Sequence, residues 1–220
     1  MLLQNRNKTL PLATSTAGAP VRVYTMGLAK AAVEGVGYAV TVGDHAADAA
    51  RPTVPAGTRY AIIRVNVSNP VLPLTDPKEP MPLPGMSPRT LFGGALPDEL
   101  NFLALSDMVG TKSWNMTPAL ADIQAVMKEV GAANTVLAIY FRQPYVLDDA
   151  SGTKAAGAIV GPFGADDYAV MDVLTGKFKP GGKLPFALAN SAGAILRQAP
   201  DAPGYAPADV LFPFGFGLSY

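Results

Sequence analysis

The sequence predicts a three-layer α/β/α sandwich built on five or six mostly parallel strands, and three observations carry that expectation. Strand and helix patterns alternate along the chain, as they do in open parallel sheets. The strand-like runs are nearly continuous in apolar residues, the signature of strands buried on both faces. With 220 residues, 49% apolar and only 15% charged, the chain is long enough to fill one core. We therefore expect residues 1–220 to form a single domain.

The elements follow in order. VRVYTM (21–26) reads as a strand, GLAKAAVEGVG (27–37) as a short helix stopped by Gly37, and YAVTVG (38–43) as a second strand. YAIIRVNV (60–67) is apolar apart from Arg64 and Asn66 and reads as a buried strand. From Ser68 to about Pro97 the sequence holds seven prolines between Pro70 and Pro88, which excludes regular helix. A long loop beyond the carboxyl end of a central strand is where open α/β sheets bind ligands. In TPALADIQAVMKEVG (117–131), Thr117 is placed to cap a helix with Pro118 in its first turn. Leu120, Ile123, Met127 and Val130 make one apolar face. NTVLAIYF (134–141) and the segment 156–161 read as buried strands. GADDYAVMDVLTG (164–176) reads as a helix with Asp166 and Asp167 where the dipole favours carboxylates. KPGGKLPFAL (179–188) turns tightly into another strand.

Composition removes several function classes. The net charge is zero with no basic cluster, which argues against nucleic acid. No apolar run is long enough for a membrane span, and MLLQNRNKTLPLAT has no signal-peptide core, so any export signal of the parent is expected upstream. There is no cysteine, and the single histidine, His45, reads as a surface loop residue, so no metal or cofactor is expected. GLAKAAVEGVG lacks a dinucleotide fingerprint and no G-x-S-x-G is present; Ser151 reads as a turn former. Two tripeptides, at Asn7 and Asn115, match the N-glycosylation acceptor pattern.

Carboxylates remain. Glu34 and Glu129 fall in helices and read as solvated, whereas Glu79 lies within the long loop and Glu99 just beyond it. Either is a candidate general acid if an apolar surround raises its pKa. Arg142 follows the end of a parallel strand, placed either to bind a ligand or a carboxylate, or to pair with Asp148 or Asp149. Trp114 either stacks on a ligand or covers the helix 117–130.

DVLTGKFKPGGKLPFALAN (172–190) resembles the C-terminal α/β domain of family 3 glycoside hydrolases, the β-glucosidase and β-xylosidase group. Asp172, Val173, Leu174, Gly176, Pro180, Gly182, Lys183, Leu184 and Pro185 match the family pattern there, and LFPFGFGLSY (211–220) resembles its closing segment. LLQNRNKTLPL (2–12) is similar to the family's opening. NTVLAIYFRQPYVLD (134–148) is similar to its buried strand and following loop, with Gln143 inserted before Pro144. The family's Gly-x-Asp-Arg segment is replaced by LFGGALPDELNFLALSD (91–107).

The resemblance implies an N-terminal (β/α)8 barrel carrying an aspartate nucleophile, in cis or as a separate chain, and a carbohydrate substrate. It also implies an acid/base glutamate from a loop of this domain, for which Glu79 is the first candidate and Glu99 the second. A non-catalytic accessory or partner-binding domain that keeps the fold is the alternative. In LFPFGFGLSY, Leu211, Phe212 and Phe214 are expected to pack inward, with Phe216 and Tyr220 facing the barrel. The sequence assigns no compartment: cytoplasmic, periplasmic and secreted parents all fit.

Overall fold

A computed structural model describes residues 1–68, 104–109, 115–199, 201 and 203–220. Glu79, Glu99 and Trp114 lie outside the described residues.

Nine strands are described: β1 (Leu2–Asn5), β2 (Arg22–Met26), β3 (Ala39–Val42), β4 (Tyr60–Ser68), β5 (Asn115–Thr117), β6 (Thr135–Ile139), β7 (Ala158–Val160), β8 (Leu188–Ala189) and β9 (Val210–Phe212). The main sheet runs β1-β7-β6-β4-β2-β3, with β5 added to the end of β4. β3, β2, β4, β6 and β7 are mutually parallel, while β1 and β5 pair antiparallel. The mostly parallel sandwich read from the sequence is what forms. The strand order reverses between β2 and β4, which creates the crevice at the carboxyl edge where such sheets bind ligands.

The described α-helices are α1 (Lys30–Glu34), α2 (Leu120–Val130), α3 (Asp167–Leu174) and α4 (Ala192–Arg197). Strand periodicity sorts side chains to two cores. Ala61, Ile63, Val65 and Val67 of β4 join Ile123, Val126 and Met127 of α2 on one face. Ile62 of the same strand joins Val33 of α1 and Val170, Met171 and Leu174 of α3 on the other.

Several local expectations change. The helix read over 27–37 contracts to five residues, because Ala29 provides no side-chain cap and Gly37 at φ +85° ends the turn. Thr117 does not cap α2; it pairs with Asn66 in β5, and Ala119 stands at the cap without a side-chain bond. Asp166 does cap α3, accepting from Ala169 N at 2.7 Å. Glu129 is not simply solvated: it pairs with Arg51 and accepts from Val54 N at 3.1 Å. The KLPFAL strand shortens to β8 and pairs with β9 in a separate two-stranded sheet.

The C-terminal segment also sorts differently from its expected pattern. Phe214 is 74% exposed. Phe216 instead packs on the α2-side core and stacks on Phe212 at 5.1 Å. Tyr220 packs on the opposite core and donates to Val173 O. Phe214 is turned outward because the backbone on either side is committed: Phe216 N donates to Pro213 O (3.1 Å), Gly215 N to Leu184 O (2.9 Å) and Leu184 N to Phe216 O (2.8 Å).

Gly27 is required by its surroundings. Its φ is +71°, and a Cβ there would lie 2.6 Å from the carbonyl oxygen of Arg64. Gly27→Ala should destabilise the domain by about 1–3 kcal/mol. Gly181→Ala, where nothing lies within 4 Å, should be nearly neutral. Urea denaturation of both variants checks the contrast.

Candidate functional site at the carboxyl edge of the sheet

Three of the carboxyl ends bear polar structure that the strands themselves position. At the first, Gly27 N donates to Asp44 Oδ1 at 2.8 Å, which ties the end of β2 to the turn after β3. At the second, Arg64 of β4 pairs with Asp167 at the start of α3 and donates to Ala165 O at 2.7 Å. The other oxygen of Asp167 accepts from Ala29 N at 2.7 Å. One carboxylate thus joins β4, the β2–α1 loop and the β7–α3 loop.

The third cluster follows β6. Phe141 is buried and stacks between Tyr145 (6.0 Å) and Phe163 (6.2 Å), and Phe163 continues to Phe186 at 6.0 Å. Phe163 adopts φ +47°, an uncommon backbone conformation for an aromatic residue and one that recurs at ligand-binding edges. Above this ladder, the exposed guanidinium of Arg142 lies 5.3 Å from the centre of the Tyr140 ring. The carboxylates next in sequence are engaged elsewhere. Asp149 pairs with Lys154 at 2.5 Å, and Asp148 accepts from Ser106 N (3.1 Å) and Ser151 N (3.0 Å). Among the described residues, Arg142 has no carboxylate partner.

Of the residues singled out by sequence, the structure therefore places Arg142 at the carboxyl edge. Arg64, Asp167 and Asp44 were not singled out as site residues; the one available signal was a lone charge inside the apolar run YAIIRVNV. His45 is not a plain surface residue. Its side chain is 17% exposed, with Nδ1 3.1 Å from Gly43 O and Nε2 3.6 Å from Asp122. Ser151 is buried in the turn it forms, its hydroxyl donating to Asp148 O at 2.7 Å.

Burial disfavours charge on Asp148, but the bonds from Ser106 and Ser151 outweigh it and hold the carboxyl below the usual carboxylate range. Burial pushes the Tyr145 hydroxyl up to about 12. An apolar hollow of about 300 Å³ lies between the end of β7 and α3, lined by Val160, Pro162, Ala169, Val173 and Phe178. Its one carboxylate, Asp172, is already paired with Lys177 at 2.9 Å, so it offers no convergent polar groups. We place the candidate site at the sheet edge instead.

A mostly parallel sheet between helical layers, with an aromatic-backed arginine at its carboxyl edge, defines a domain of the open α/β-sheet class. The particular family is settled by comparison: the model of the glycosyl hydrolase family 3 C-terminal domain matches residues 1–220, and the chain belongs to that family. Among curated proteins it is similar to the periplasmic beta-glucosidase/beta-xylosidase of Dickeya chrysanthemi, 33% identical over 99 residues. That match spans 45% of this chain and 15% of the relative. Beta-glucosidase C of Emericella nidulans is 36% identical over 86 residues, 39% of this chain and 13% of the relative. Among solved structures, the β-D-glucoside glucohydrolase of Trichoderma reesei superposes with a TM-score of 0.54 at 15% identity, over 100% of this chain and 35% of that one. A β-glucosidase from Chaetomium thermophilum gives 0.55 at 16% identity, over 100% and 30%. These superpositions concern the fold. The chain matches only a minor part of each relative's length. Among the described residues, no helix is long and apolar enough to cross a membrane.

Asp148 yields a prediction with a defined pH sign. Its native pKa lies below its unfolded value, so its contribution is complete above the unfolded pKa of about 3.9 and disappears as pH falls through the native value. Asp148→Asn should therefore cost about 2 kcal/mol at pH 7, from the loss of charge-assisted bonds to two amides. The variant's deficit should be full at pH 7 and 5 and shrink toward zero as pH falls through the native pKa, as denaturant titrations carried from pH 7 into strong acid would show.

Proposed function

We propose that this chain is the C-terminal domain of a retaining β-glycosidase of β-glucosidase or β-xylosidase type, incomplete without a (β/α)8 barrel. The single observation that supports the reading is the family match along all 220 residues. An aspartate of the barrel attacks the anomeric carbon while a glutamate from this chain protonates the leaving oxygen and then activates water. Glu79 is the proposed acid/base and Glu99 its alternative.

Arg142 is the proposed sugar-binding or barrel-binding group of the described residues. The Tyr140 ring restrains the guanidinium plane, and the neighbouring acids are committed elsewhere, so its donors stay available to hydroxyls or to a carboxylate. Trp114 is the proposed stacking surface for a sugar ring.

The isolated chain should not turn over aryl β-glucosides or β-xylosides; turnover proportional to chain concentration would overturn the reading. In the gene, the reading frame upstream should encode a barrel bearing an aspartate nucleophile. In the complete protein, Glu79→Gln should lower kcat/KM by about 10²–10⁴-fold for poor leaving groups and much less for activated aryl ones, whose kcat falls because the hydrolysis step that the same residue assists becomes limiting. If only Glu99→Gln shows that pattern, the acid/base assignment moves to Glu99. If neither does, the accessory-domain alternative stands.

A further inference from the structure

The two edges of the main sheet are finished differently. At the β1 edge the chain closes the sheet itself, with Leu218 bridging Leu2 and Leu218 N donating to Leu2 O at 2.8 Å. At the β3 edge it does not. Ala39 N donates to Val21 O (3.0 Å) and Gly43 N to Thr25 O (2.8 Å), so the odd-numbered residues of β3 face β2. The amides and carbonyls of Val40 and Val42 therefore point away from the sheet, and among the described residues nothing bonds to them. Ala39–Val42 reads AVTV, with all four residues partly exposed. It has no charge, proline or bulge, the devices that ordinarily protect an edge.

We propose that this edge is an interaction surface for a second copy of the chain, with β3 pairing antiparallel to β3 about a twofold axis at Thr41. The spacing of the outward groups is self-complementary. Val40 of one copy faces Val42 of the other, and each such pair exchanges both of its backbone bonds, four in all. The two Thr41 residues meet as the closer, non-hydrogen-bonded pair, an arrangement in which two threonines are compatible and two like charges are not. Charge also permits a second copy: 17 basic and 17 acidic residues leave no net repulsion between identical chains. Pairing extends the sheet across both copies and does not involve Arg142, so it goes beyond the glycosidase reading and does not depend on it.

Sedimentation equilibrium of the purified 220-residue chain tests it. We expect a monomer–dimer equilibrium with a dissociation constant between about 10 µM and 1 mM, the range of weak interfaces. Thr41→Lys should abolish it by placing two like charges in contact, and Val42→Pro by removing an outward amide that makes no bond within the chain. Circular dichroism checks that each variant is folded. Hydrogen exchange adds a readout that needs no variant: protection at the Val40 and Val42 amides should rise between about twofold and sevenfold from 10 µM to 1 mM chain, according to where the dissociation constant falls in that range, while Thr41, bonded to β2, should not change. A chain that stays monomeric to 1 mM overturns the proposal. So does a dimer that survives both substitutions, or one that leaves Val40 and Val42 unprotected.

Discussion

Arg64 is the interaction on which the carboxyl edge depends. β4 is bonded by β2 on one side and β6 on the other, and its side chains feed both cores. A guanidinium there loses most of its water and must be matched. Asp167 and the carbonyl of Ala165 supply the match, and Asp167 then holds the amide of Ala29. The pair has side chains only 15% and 16% exposed. Such pairs often contribute little more than apolar residues of the same volume. What this one provides is geometry, because it fixes where the β2–α1 loop and the start of α3 sit relative to β4. The same crowding explains Gly27: with the Arg64 carbonyl 2.6 Å from where its Cβ would be, the loop closes only over a glycine.

The parallel sheet and its two long helices were legible because burial on both faces leaves an almost unbroken apolar run, and burial on one face leaves a period near four. The sequence was silent where one residue type serves two purposes. Thr117 has the chemistry of a cap and the β-branched shape of a strand residue, and pairing with Asn66 in β5 decides between them. Glu129 and His45 looked solvated because their partners lie far along the chain. Arg51 reaches Glu129 across 78 positions, and Asp122 stands 3.6 Å from His45 only once α2 is docked.

The candidate site divides in the same way. Arg142 could be found because the end of a buried strand is visible in sequence, and its position is a matter of topology alone. The Arg64–Asp167 pair could not, since its members are 103 residues apart and only the lone charge in an apolar strand hinted at it. Glu79, Glu99 and Trp114 lie outside the described residues, so their proposed roles rest on the family and on their residue chemistry.

The motifs that made the family readable turn out to be structural partners of one another. The turn 180–185 and the closing segment 211–220 bond reciprocally through Leu184, Gly215 and Phe216, and Lys183 Nζ donates to Gly217 O at 2.6 Å. Gly217 is seated against the carbonyl of Gly182, where no side chain fits. Beyond that clasp, Leu218 bonds to β1 and Tyr220 to the end of α3, so the last ten residues link the β1 edge, the α3 face and the small β8–β9 sheet. A clasp of backbone bonds and close approaches tolerates few sequences, whereas loops that bind ligands can vary while the scaffold persists. The most recognisable stretches of this chain therefore mark how the domain is closed, and the residues proposed to contact a substrate lie outside those stretches.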